Sequence, residues 1–110
     1  PMASGLLTGK MTRERLAGLA EDDWRRKSEH FTEPQLSRNL ALVEVLRNIA
    51  EEQGCTVGEV AIAWTLANPA ITGAIVGLRK PDQVDGVIHA GGIGLSPDQA
   101  ARISRFLAEN

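Results

Sequence analysis

One hundred and ten residues suit one small domain or a piece of a larger one, and 43% hydrophobic with 24% charged side chains is ordinary for a soluble globular chain. A formal charge of −2 gives no electrostatic pull toward nucleic acid or an anionic membrane surface, and no apolar run approaches the roughly 20 residues that cross a bilayer. The single Cys55 excludes an internal disulfide and, with two distant histidines, leaves no ligand set for a metal, so a cytoplasmic setting is expected.

Residues 1–10, PMASGLLTGK, are small and punctuated by glycine, which reads as a loop. Thr12 is placed to cap a short helix over Arg13–Ala20, and the charged, aperiodic stretch 21–35 reads as an exposed loop. From Leu36 to Gln53 apolar residues recur near a 3.6-residue spacing, with Leu36, Leu40, Val43, Leu46, Ile49 and Ala50 on the inner face and Gly54 as a left-handed stop. Thr56 and Glu59 fit a capping box that opens a helix over Val57–Ala67. That helix is apolar nearly all round, which predicts cover on two sides and a core position for Trp64. Asn68-Pro69 ends it.

The run from Ile71 to Gly77, with β-branched residues between turn signals, predicts one short buried strand of the parallel type. Pro81 suits the first turn of a helix reaching Ala90; Gly91, Gly92 and Gly94 form a loop. Ser96, with Pro97 and Gln99, caps a last helix over Pro97–Ala108 that turns Ala100, Ile103 and Leu107 inward. A lone buried strand leaves its N–H and C=O groups without partners. The missing strands are therefore expected from sequence preceding Pro1 or from another chain.

In this order the segments resemble the aldo-keto reductase family. PMASGLLTGKMT resembles the segment after the seventh barrel strand. EVAIAWTLANPAITGAIVGLRKPDQVDG resembles the penultimate helix, eighth strand and phosphate-binding turn, and LSPDQAARI resembles the final helix. The fold class this implies is α/β: residues 1–110 as the C-terminal part of a (β/α)₈ barrel, mostly helical, with one short strand. The activity implied for the complete enzyme is NADP(H)-dependent reduction of a small-molecule carbonyl substrate, in which a tyrosine supplies the proton. This chain has no tyrosine, and His30, His89, Lys10 and Lys80 match no part of the family's catalytic tetrad, so no residue is assigned a catalytic role and the chain alone is expected to be inactive.

The cofactor residues that the resemblance implies fall in two groups. Pro1, Met2, Ala3, Ser4 and Lys10 are to line the pyrophosphate and ribose; small residues let backbone N–H groups approach phosphate, and Lys10 adds a point charge. Gly77, Arg79, Lys80 and Gln83 are to grip the adenosine end, with Arg79 able to fork onto a 2′-phosphate, which favours NADP over NAD. Gly86 and Val87 stand where many members carry Glu and Asn, so the adenine lacks that polar grip. Trp24, Arg25 and Arg26 read as a solvated cluster on a loop that in the family often closes over the cofactor. The stretch Gly5–Lys10 falls one residue short of a Walker A loop, and Met11 stands where Ser or Thr must bind Mg²⁺, which rules out a nucleoside-triphosphate site. Cys55 is expected to pack locally. The other function class open to the chain is a non-catalytic interaction module, self-associating or docking onto the rest of a barrel through the apolar faces of its central helix.

Overall fold

The computed structural model describes all 110 residues. It is built from four α-helices: α1 (Arg13–Ala17), α2 (Gln35–Gln53), α3 (Val57–Leu66) and α4 (Pro97–Glu109). Short 3₁₀ turns stand at Leu6–Thr8, Trp24–Lys27, Glu29–Phe31, Pro81–Gln83 and Ala90–Gly92. No helix is long and apolar enough to cross a membrane.

The caps form where the sequence places them. The Thr12 hydroxyl accepts from Arg15 N–H. Thr56 and Glu59 form a reciprocal box at the start of α3, as do Ser96 and Gln99 at the start of α4. Gly54 ends α2 with φ 69°, a left-handed value that costs glycine nothing. α1 stops at Ala17, three residues short of expectation, because Gly18 caps it.

The core lies between α2, α3 and α4. Leu42, Val43, Leu46, Ile49 and Ala50 of α2 pack against Val57, Val60 and Ala61 of α3 and Ile103 of α4. Ile49 and Val60 are wholly buried, each contributing roughly 1.5–3 kcal/mol by removal from water. Asn39, rather than Leu40, takes the buried position on α2, and its amide donates to His30 O at 3.0 Å, tying the charged loop to the helix. A smaller cluster of Leu6, Met11 and Phe31 pins the N-terminal segment beneath that loop. Polar contacts dock α4 as well: Gln99 donates to Glu52 at 2.9 Å and accepts from Gln53 at 2.7 Å.

Three expectations are corrected. The stretch 71–77 is not a strand. Between Thr72 and Leu78 no backbone N–H or C=O is hydrogen-bonded within the chain, because no neighbouring extended segment lies beside it. Residues 81–90 do not form an α-helix; after the turn at Pro81–Gln83 only one i→i−4 bond, Ile88 N–H to Val84 O at 2.9 Å, is made before Ala90–Gly92. Gly86, Gly91 and Gly92 favour turns over a continued helix. Trp64 is not core: it is 37% exposed, because α3 is buried all round from Val57 to Ala63 and emerges beyond it. The radius of gyration is 14.1 Å, against about 13 Å for a compact domain of this length.

Candidate functional site

A cleft of about 740 Å³ opens between the N-terminal segment, the start of α3 and the end of the extended arm, a volume typical of small-molecule and cofactor sites. It brings together residues that are some 75 positions apart, since Met2, Ala3 and Ser4 face Gly77, Arg79 and Gln83 across it.

The near wall is a tight backbone turn. Ala3 and Ser4 have φ of 50° and 57°, values that non-glycine residues seldom adopt, and Gly5 follows at 92°. Such strain persists only where surrounding contacts enforce it, and it concentrates at ligand-facing sites. Leu6 fixes the turn from below, with its N–H on Ala3 O at 3.1 Å and its side chain buried. The N-terminal turn of α3 forms the floor. A Cβ built on Gly58 would stand 3.0 Å from Met2 Sδ, so the missing side chain lets the segment lie against the helix.

On the far wall, the carbonyl oxygen of the Gln83 side chain accepts from Arg79 N–H at 2.7 Å and Lys80 N–H at 3.2 Å, closing the turn. Arg79 is exposed and makes no ion pair, and the same is true of Lys10 and Arg15 at the cleft wall. Arg25 also lines the cleft but is already neutralised: its guanidinium grips Asp23 through two bonds, of 3.0 and 2.7 Å. That grip holds the Asp23 carboxyl down to about 2, with a further small pull from Arg79. The cleft thus presents three unpaired cations, one unpaired carboxylate from Asp82, a rim indole from Trp24 and several small residues.

Of the nine residues expected from the sequence, Pro1, Met2, Ala3, Ser4, Lys10, Gly77, Arg79 and Gln83 line the cleft and Lys80 does not. Trp24 is 60% exposed and meets Phe31 edge-on at 6.3 Å. Arg26 turns away to donate to Leu19 O. Cys55 is half-buried against the main core, and burial, aided by the Glu59 carboxylate, pushes its thiol up, the opposite of a reactive cysteine. Residues that sequence reasoning missed also line the cleft: Thr8, Met11, Arg15, Thr56, Gly58 and Asp82. Thr56 and Gly58 were legible only as helix-start residues; nothing local says which side of a helix end faces a cavity.

Residues 1–108 match the family model described as the aldo/keto reductase family. The chain belongs to the aldo/keto reductase family. It is 36% identical over 91 residues to a putative voltage-gated potassium channel subunit beta of Schizosaccharomyces pombe, covering 76% of this chain and 25% of that protein. It is 32% identical over 107 residues to the aldo-keto reductase YhdN of Bacillus subtilis, covering 96% and 32%. The glycerol dehydrogenase AKR11B4 from Gluconobacter oxydans superposes with a TM-score of 0.84 at 31% identity, over 98% of this chain and 32% of that one. The chain therefore spans a quarter to a third of the length of these reductase-family relatives, and its helices and arm have the shape of that portion of a barrel.

Proposed function

We propose that residues 1–110 form the dinucleotide-clamping, C-terminal portion of an NADP(H)-dependent aldo-keto reductase of the cytoplasm. The observation that carries this reading is the cleft: it joins the Met2–Lys10 segment to the Gly77–Gln83 turn and sets three unpaired cations around it. The residues present fit the cofactor. Ala3, Ser4 and Gly77 leave room for close backbone approach; Lys10 and Arg15 lie where a pyrophosphate needs counter-charge; Arg79 offers a forked donor for a 2′-phosphate. Val87 and Gly86 also line the cleft, so the adenine is met by an apolar side chain and open backbone rather than by a carboxylate and an amide.

When bound, NADPH supplies the hydride that reduces a carbonyl. This chain's residues bind and orient it but deliver no proton, because the sequence holds no tyrosine and neither histidine lies in the cleft. The chain alone is therefore inactive, and the complete enzyme's carbonyl substrate is chosen by residues not among these. NADP titrated into the chain is expected to raise its melting temperature by mass action. Absence of any shift at millimolar ligand contradicts the reading. Substrate-dependent NADPH oxidation by the pure chain contradicts its catalytic half.

A second reading is favoured by one observation: Ile71, Ile75, Leu78 and Ile88 are all exposed, Ile75 at 94%. Exposed apolar side chains of this kind suit self-association, or docking onto the remainder of a barrel. Sedimentation that stays monomeric from micromolar to millimolar concentration counts against self-association.

A further inference from the structure

The far wall of the cleft is anchored to the rest of the molecule at very few places. Residues 72–93 make hydrogen bonds almost entirely among themselves. Only two leave the segment, and both end on the cap of α3. Thr56 Oγ1 donates to Gly86 O at 2.7 Å, and the Glu59 carboxylate accepts from His89 N–H at 3.1 Å. No ion pair crosses. The apolar anchor is Ala90, 3% exposed.

Glu59 is placed to do this. It is 3% exposed, one carboxylate oxygen closes the capping box on Thr56 N–H at 3.1 Å, and the other is left over for His89. Thr56 has the matching division of labour: its oxygen accepts from Glu59 N–H at 3.1 Å while its proton goes to Gly86. A capping box needs only the first half of each set. The second halves point outward, onto the turn that carries Arg79, Gln83 and Val87.

We propose that Thr56 and Glu59 are positioning residues that set the Arg79–Val87 turn against the N-terminal segment and so determine how tightly the adenosine end of the dinucleotide is held. The inference rests on the reading of the cleft as a cofactor site. A turn free to drift away from α3 still carries every cofactor-facing side chain, but at the wrong distance from Met2–Lys10. The effect falls on the adenosine 2′-phosphate end, since Lys10 and Arg15 belong to the other wall.

Three variants of the full chain separate this role from simple capping. Glu59→Gln replaces one of the two carboxylate oxygens with an NH2 group, so either Thr56 N–H or His89 N–H is left facing a donor. Thr56→Val loses both functions and Thr56→Ser keeps both. The probes are NADP and 2′,5′-ADP by calorimetry, with amide hydrogen exchange over residues 83–92 as a ligand-free readout. Glu59→Gln and Thr56→Val are each expected to weaken both ligands about tenfold, the scale of one hydrogen bond to the turn, and to speed exchange in the turn while α2 stays protected. Thr56→Ser is expected to match the parent. Unchanged affinity in Glu59→Gln overturns the proposal, whether or not exchange rises. A parent chain that binds neither probe removes the cofactor reading instead; unchanged exchange in the variants then overturns the clamp by itself.

Discussion

At the scale of single residues, charge pairing decides which cations of the cleft are free to act. Arg25 is committed to Asp23, whereas Arg79 is not. Arg79→Ala is therefore expected to weaken NADP about 10- to 100-fold, the worth of charge-assisted bonds to a phosphate, and to change NAD little. Lys80→Ala, outside the cleft, should leave both alone; parallel titrations of the two ligands check the pair of variants. The Asp23–Arg25 grip also has a pH signature. Asp23 is drawn from 3.8 to about 2 in the folded chain, first by its side-chain bond to Arg25. A depressed carboxyl favours the folded state above the unfolded value, so this contribution is whole above about pH 4 and fades as pH falls through about 2. The Asp23 carboxyl carbon, followed by NMR, should titrate near 2, and a midpoint near the ordinary 3.8 would show that the grip does not persist in solution.

At the scale of elements, helices proved easier to read than anything extended. α2 and α4 carry their own instructions, a periodic apolar face and a cap or stop, and fall within about a residue of where the sequence puts them. α3 was legible in type and start, yet Trp64 was misplaced, because a helix that is apolar all round does not say how much of its length is covered. The run 71–77 has every local mark of a strand. A strand exists only beside another, and none of these residues supplies that neighbour, so the same side chains yield an arm with a bare backbone. For the cleft, the two walls were legible from the family's motifs, while the floor at Thr56 and Gly58 was hidden inside a helix cap. One element contact is stringent enough to test. Gly9 has φ 80°, and a Cβ there would stand 2.9 Å from Val57 Cγ2 at the head of α3. Gly9→Ala meets both left-handed strain and a clash and should cost about 2 kcal/mol or more. A denaturation midpoint equal to the parent's would mean that the loop does not rest on α3.

At the scale of the whole molecule, only 20 of 110 residues are buried, and most of those belong to α2 and α3. Stability is therefore concentrated in one helical body, with the arm and the far wall of the cleft as appendages that open most readily. Hydrogen exchange should show slow amides from Leu42 to Ala63 and fast ones from Ile71 to Leu78, and equal protection of the two would contradict this division. The bare arm has a further consequence. Ile71 to Leu78 is eight residues long, uncharged, free of proline and half composed of Ile, Val and Leu, the profile of a segment that stacks into cross-β fibrils when its backbone is accessible. Concentrated solutions of the chain by itself should slowly become thioflavin-positive, and a single gatekeeper such as Ile75→Lys should prevent it without disturbing the helical body.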